Sequence, residues 1–316
     1  MEVRHLASLI AIAEHGSFSA AARHLKTVQS NVSAHISRLE KELGVTLVDR
    51  HSGKVTDEGA VVVERGRRII HELQDIEADI HSTDVEIEGE SRMGCLSTTG
   101  RWLIPAMFPL AHAAHPKLRV TVVEGGTLNL LPRLIAGDLD AAIVHFPIAD
   151  PELTVDPLFS EEIVLLAHPK FTWAARKSIT LAELANHPLL LAPRNTELRR
   201  IIEKAAASRK VMLRAQAEID GVRLLSSLAI DGFGPTLVPS TAVPRIAAES
   251  LHVVQIPELP RRLVGWATKR RPLPNKATRA LHHIVRAAVQ QAGDQQHGVN
   301  IATELLLPGR RPAPEN

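Results

Sequence analysis

The sequence has no tyrosine, only 3% aromatic residues and a single cysteine, Cys95. So few rings argue against a stacking platform for single-stranded nucleic acid, which lays bases on aromatic side chains. One cysteine excludes an internal disulfide, a CxxC redox pair and a cysteine-rich zinc module, and it fits a reducing cytosol. Long apolar runs are also missing: none reaches the roughly 18 residues of a membrane span. The opening stretch, MEVRHLASLI, is too mixed in polarity for a secretory leader, so a cytoplasmic protein is expected. Net charge is small, with 37 basic and 35 acidic side chains, and alone it names no polyanionic partner. What is present is ordinary globular composition, 45% hydrophobic over 316 residues. That is enough for two or three domains with their own cores.

Enzymatic motifs are absent as well. There is no GxSxG nucleophile, no Walker loop and no GxGxxG after a strand. Of the 16 histidines, the close pairs His112/His115 and His282/His283 lack Cys or carboxylate neighbours at zinc spacing. No catalytic residue, metal or cofactor is expected.

The first sixty residues read as helices. Val3, Leu6, Leu9, Ile10 and Ala13 have helical spacing. Gly16 breaks that pattern, and Ser17 or Ser19 can cap a second helix, SAAARHLK. A third, VQSNVSAHISRLEKELG, puts Val28, Val32, Ile36, Leu39 and Leu43 on one stripe. Ser30, Ala34, Ser37, Arg38 and Lys41 lie opposite, with Asn31 and Ser33 on the flanks. That face is short and polar; it suits either a bundle surface or a helix seated in a major groove. Next, VTLVDRHSGKVTDEG reads as two short strands turning at Ser52-Gly53, with Arg50, His51 and Lys54 near the tip, where phosphates can be met. A helix-turn-helix followed by a hairpin is a winged helix.

Residues 62 to 80 continue as one helix. Val62, Gly66, Ile69, Leu73, Ile76 and Ile80 are spaced 4, 3, 4, 3, 4 between charged flanks, the seam of a paired helix. The alternative is packing against the chain's own domains. After Glu90, strand-like and helix-like segments alternate, an α/β signature.

At this point the chain resembles the bacterial LysR-type transcriptional regulators. In the first part the match is carried by GSFSAAARHL, Gln29, Val32-Ser33, Ile36, Leu39-Glu40, Leu43-Gly44, Leu47, Arg50 and Thr56-Glu58-Gly59. In the second it is carried by Leu103-Ile104-Pro105, Glu124-Gly125, Gly137 to Ile143, His168-Pro169 and Gly232-Phe233-Gly234. Ser30-Asn31 stands where the family often has proline, and Val48 where it often has phenylalanine.

The resemblance implies an α+β multi-domain chain. A winged helix-turn-helix DNA-binding domain would span 1–59 and a linker and dimerisation helix 60–88. An effector-binding domain like type 2 periplasmic binding proteins would span 89–292, with subdomain I at about 91–160 and 264–292 and subdomain II at about 161–263. A disordered tail, 293–316, would follow, its Leu305 to Leu307 able to make a small contact. Gln29, Ser30, Asn31, Ser33, Arg38, Arg50 and Lys54 would face DNA, and Val62, Ile69, Leu73, Ile76 and Ile80 would pair two subunits. Ser97, Thr98 and Thr99 sit between the first strand and its helix, where they either cap the helix or hold an anion. Thr127 is a cap or a contact, and His145 packing or a contact. Asn195, Thr196 and Phe233 complete the expected cleft.

The implied partners are double-stranded operator DNA, a small organic and plausibly anionic effector, and further copies of the chain as a dimer or dimer of dimers. RNA polymerase is a further candidate partner, and no membrane is involved. The competing reading is a ligand-binding protein whose N-terminal module serves protein interaction. Residues 1–60 carry seven basic and seven acidic side chains. A neutral domain of this kind is expected to bind DNA weakly as a monomer and usefully only as a dimer.

Overall fold

A computed structural model describes residues 1–50, 52–82, 86–244 and 250–301. The chain divides into two compact units, Met1–Thr83 and Asp84–Asn316.

The first unit contains α1 (Val3–His15), α2 (Phe18–His24), α3 (Gln29–Leu43) and α4 (Asp57–His81). Leu6, Leu9 and Ile12 of α1 meet Ala21 and Ala22 of α2, and Val32, Ile36 and Leu39 of α3, in one buried core. Both α1 and α3 end on a left-handed glycine, Gly16 and Gly44, each at φ 73°, whose N–H returns to a carbonyl of the last turn. Ser17, rather than Ser19, caps α2, its Oγ accepting the Ala20 N–H at 3.2 Å.

The buried stripe of α3 is narrower than its periodicity suggests. Val28 lies one residue before the helix and is 59% exposed, and Leu43 faces solvent near the C-terminus. The expected two-stranded wing is short among the described residues: one antiparallel bridge, Val48 to Val55, flanked by the Asp49 N–H on the Lys54 carbonyl (2.8 Å) and the Thr56 N–H on the Leu47 carbonyl (3.0 Å). Leu47 and Val48 turn into the core, and Thr56 caps α4 directly after the second arm. A Cβ at Gly59 would stand 2.2 Å from the Leu47 carbonyl oxygen, so α4 can start beneath this loop only with glycine there. His51 lies outside the described residues.

The second unit holds two sheets. Its elements in order are β1 (Gly89–Leu96), α5 (Ser97–Ala114), β2 (Leu118–Gly125), α6 (Thr127–Ala136), β3 (Ala141–Phe146), β4 (Leu153–Glu161), β5 (Ile163–Ala167), α7 (Leu181–Leu184), β6 (Pro188–Leu191), α8 (Glu197–Ser208), β7 (Arg214–Glu218), α9 (Val222–Ile230), β8 (Thr236–Pro239), β9 (His252–Gln255), β10 (Arg262–Lys269), α10 (Lys276–Ala292) and β11 (Val299–Asn300). The first sheet runs β11-β4-β10-β3-β1-β2 and the second β7-β6-β8-β5-β9. In the first, β1 is parallel to β2 and β3, while β10 runs antiparallel to β3 and β4. The chain therefore crosses between sheets twice, between β4 and β5 and between β9 and β10. Each sheet has its own core, Met93, Leu103, Phe159 and Trp266 in the first and Leu165, Leu189, Ile202 and Leu237 in the second.

Two boundaries differ from expectation. Helix α5 begins at Ser97, so Ser97, Thr98 and Thr99 form its first turn rather than a segment between strand and helix. The expected tail is folded as far as Ile301: β11 pairs with Glu161 and Ser160 of β4, and Val299 and Ile301 pack on the first sheet's core. These two apolar side chains, spaced to share one face, are what the polar composition of the tail concealed. Residues 302–316, with Leu305 to Leu307, lie outside the described residues.

Candidate DNA-reading face and effector cavity

Opposite its buried stripe, α3 presents Ser30, Ala34, Ser37, Arg38 and Lys41. Gln29, Ser30, Asn31 and Arg38 are exposed and Ser33 is half-buried. Two of these side chains are held by one end: Gln29 Oε1 accepts the Ser19 hydroxyl at 2.8 Å, and Asn31 Nδ2 donates to Thr27 Oγ1 at 3.0 Å. Such anchoring orients an amide without consuming it. Ala34, Ser37 and Lys41 belong to the same face, and the 3.6-residue period was their signal.

Arg50 is placed differently from the sequence expectation. Its guanidinium donates to Ser33 Oγ (3.2 Å), Ser37 Oγ (3.0 Å) and Glu40 Oε2 (3.0 Å), and lies 5.5 Å from the Phe18 ring centre. The second oxygen of Glu40 accepts the N–H groups of Leu47 and Val48. Glu40 and Arg50 thus lash the wing to α3, which occupies three of the five guanidinium N–H groups. Lys54 is exposed, with no ion pair among the described residues.

Helix α4 splits the expected seam. Val63 and Gly66 are buried on the first unit's own core, and Val62 packs against it; Gly66 faces Leu6 and Ile10 of α1. From Ile69 onward the stripe is open: Ile69 and Leu73 are 43% exposed, Ile76 51% and Ile80 75%. The spacing of these four, 4, 3, 4, keeps them on one side of the helix.

In the second unit a cavity of about 220 Å³ lies between the two sheets. Four helices begin at its wall: α5 at Ser97, α6 at Thr127, α8 at Glu197 and α9 at Val222. Each first turn leaves backbone N–H groups without helical partners, and each helix dipole is positive there. Ser97, Thr98, Thr127, His145, Asn195 and Thr196 all line it.

Several of these side chains are already engaged. Thr127 Oγ1 accepts the His145 N–H at 3.0 Å. Thr196 Oγ1 donates to the Pro193 carbonyl at 2.7 Å and caps α8 through the Arg199 N–H. Two expected contacts are absent from the lining. Thr99 is fully buried behind the first turn of α5. Phe233 is 64% exposed, because Gly232 turns left-handed (φ 80°) after α9 and sends the next side chain outward.

Periodicity gave no warning of Arg262 and Glu161. These are register partners on β10 and β4 at the two crossings, both buried. Arg262 lines the cavity. Its Nη2 donates to His145 Nδ1 at 3.3 Å and lies 3.7 Å from Glu161 Oε1. The other Glu161 oxygen accepts the Thr241 hydroxyl at 2.6 Å. Burial pushes the Glu161 carboxyl up, against the pull of Arg262, and pushes the His145 imidazole well down. Their signal lay in the strand-crossing topology, which places two charged residues where apolar ones would otherwise stand.

Cys95 is buried in β1, and burial pushes its thiol up to about 12. His282, which has no carboxylate at zinc spacing in the sequence, has Asp156 Oδ2 at 2.9 Å from its Nε2, brought by the fold. The same oxygen meets Arg286 Nη1 at 2.6 Å, a cation that opposes a metal ion there.

Family models match both parts of the chain. The model described as bacterial regulatory helix-turn-helix protein, lysR family, covers residues 3–60, and the LysR substrate binding domain covers residues 85–290. The hydrogen peroxide-inducible genes activator of Dickeya chrysanthemi is 32% identical over 252 residues, 78% of this chain and 81% of the relative. Among solved structures, full-length OxyR from Pseudomonas aeruginosa (a cysteine-to-aspartate variant) aligns with a TM-score of 0.69 at 23% identity, over 90% of this chain and 98% of that one. Full-length CbnR complexed with its target DNA aligns at 0.68 with 21% identity, over 91% and 100%.

Proposed function

The chain belongs to the LysR family of bacterial transcriptional regulators, with a DNA-binding and an effector-binding domain, and from that premise we propose how its residues divide the task. The α3 face reads operator DNA. Gln29 and Asn31 meet base edges, where side-chain amides pair with adenine, and Ser30, Ser33 and Arg38 meet bases or backbone. Lys54 supplies a phosphate contact from the wing, while Arg50 holds the wing in place. Two subunits pair through Ile69, Leu73, Ile76 and Ile80, which sets two reading helices on two half-sites.

The second domain binds a small organic anion. The observation that carries this reading is the meeting of four helix N-termini at one cavity, an arrangement that favours negative charge. Thr98 and the first-turn amides of α5 and α8 are its contacts. Binding draws the two subdomains together and changes how the paired subunits sit on DNA.

The Dickeya relative's name invokes hydrogen peroxide, but thiol chemistry fits this chain poorly. Cys95 is alone, buried and held protonated, the opposite of the exposed thiolate that peroxide attacks. Genome-wide footprinting with and without metabolites of neighbouring pathways tests the assignment. A metabolite should shift the footprint of the wild type and not of Thr98→Ala; an equal shift in both counts against the cavity.

A further inference from the structure

The cavity between the sheets is not alone. A second one, of about 350 Å³, adjoins it and shares Thr127, Leu128, His145, Glu197 and Arg262. The two walls differ in chemistry. Serine, threonine, asparagine and helix N-termini dominate the first, while Leu131, Ile148, Ile201 and Leu263 make the second apolar.

Arg262 stands where the two lobes meet. Its side chain is 4% exposed, and Nε and Nη1 have no hydrogen-bond partner among the described residues. Glu197 lines the same walls, and Glu161, the carboxylate beside the guanidinium, is too distant at 3.7 Å for a hydrogen bond, its Oε1 itself unpartnered among the described residues. A buried guanidinium in this state is costly. A structural ion pair would close to hydrogen-bonding distance, as Arg199 does on Glu203 at 2.9 Å in the same unit.

Resting on the cleft assignment above, we propose that Arg262 selects the effector by charge. The ligand is a small monocarboxylate whose head lies against Arg262 and the first turn of α5, and whose apolar body occupies the second lobe. One negative charge is favoured over two. Glu197 lines both lobes and Asp220 the first, while Arg261, the other cation of the second lobe, is already held by Glu162 at 2.9 Å, so a second carboxylate at either end of the ligand meets an acidic side chain. Arg262 is a binding and specificity residue; it positions no chemistry.

The test uses the full chain and matched probes: hexanoate with hexanamide, benzoate with benzamide, and the dianion adipate. Titration calorimetry reads affinity, and circular dichroism verifies folding of each variant. Carboxylates should bind the wild type at least about tenfold more tightly than their amides, and adipate no more tightly than hexanoate. Arg262→Met should abolish the preference. Should that variant not fold, Arg262→Lys, which keeps the charge, should retain the preference at reduced affinity. Leu128→Ser, at a half-exposed position of the shared wall, should weaken hexanoate about fivefold.

Amides that bind as tightly as carboxylates overturn the inference, as does an unchanged preference in Arg262→Met or the failure of every carboxylate to bind. The cleft assignment fails separately. Amide binding that Thr98→Ala removes refutes charge selection and leaves the cleft standing. Carboxylate binding that survives both Thr98→Ala and Arg262→Met takes the ligand out of the cleft.

Discussion

Replacing Ile69 and Leu73 together by aspartate should convert the protein to monomers. Both side chains are 43% exposed. Fully burying such a side chain is worth about 1.5–3 kcal/mol, so covering the exposed part returns roughly 1 kcal/mol each. Two residues on each of two helices give roughly 4 kcal/mol, or about a thousandfold in the dimer dissociation constant. Aspartate adds the cost of placing charge in an apolar seam, so this is a lower bound. Neither residue belongs to the buried core of the first unit, which uses Val63 and Gly66 of the same helix instead. The monomer should therefore stay folded. Sedimentation across a concentration series checks the shift, and circular dichroism checks the fold. A variant that remains fully oligomeric at sub-micromolar concentration would refute the reasoning, since it would place pairing elsewhere than on Ile69 to Ile80.

Four further outcomes are expected. Arg38→Ala, at an exposed α3 position, should weaken operator binding at least about tenfold in a gel-shift titration with no change in melting temperature. Arg50→Ala should do the reverse in emphasis: it loses three side-chain hydrogen bonds, for about 1–3 kcal/mol, visible as lowered thermal stability of the first unit, whereas Lys54→Ala should lower affinity alone. Cys95 should resist iodoacetamide at pH 8 in the native protein and react on unfolding, with roughly a thousandfold less thiolate when folded; because its value rises from 9.0 to about 12, the stability this holds is complete below pH 9 and lost as pH climbs through about 12, a slope that Cys95→Ala should remove. Ending the chain at Ala292 should lower the melting temperature of the second unit, because it removes β11, the packing of Val299 and Ile301, and the Gly298 carbonyl that accepts Arg261 Nη2 at 2.7 Å.

The parts of this molecule that were legible in the sequence are those written in local periodicity and caps. Leu6, Leu9 and Ile12, the glycines after α1 and α3, and the 69–80 stripe announce themselves within a few turns of helix. Residues whose role depends on distant partners do not. Arg50 reads as a phosphate contact until Glu40, ten residues earlier on α3, is seen to hold it. Ser97, Thr98 and Thr99 all look alike in sequence, yet the helix turn puts Thr98 on the cavity wall and Thr99 behind it. Phe233 looks like a lid until the left-handed Gly232 turns it outward. Arg262 and Glu161 are 101 residues apart and become neighbours only through strand register. Burial of a charged pair by topology leaves no mark on composition.

The most direct measurement is a DNase footprint of the full chain on the DNA upstream of its own gene, at stated salt, for wild type and the Ile69→Asp/Leu73→Asp variant. Two protected half-sites about one or more helical turns apart, persisting at moderate salt for the wild type and lost in the variant, are the predicted result. Uniform, salt-labile protection without half-sites, or two half-sites that survive in the variant, would contradict the account.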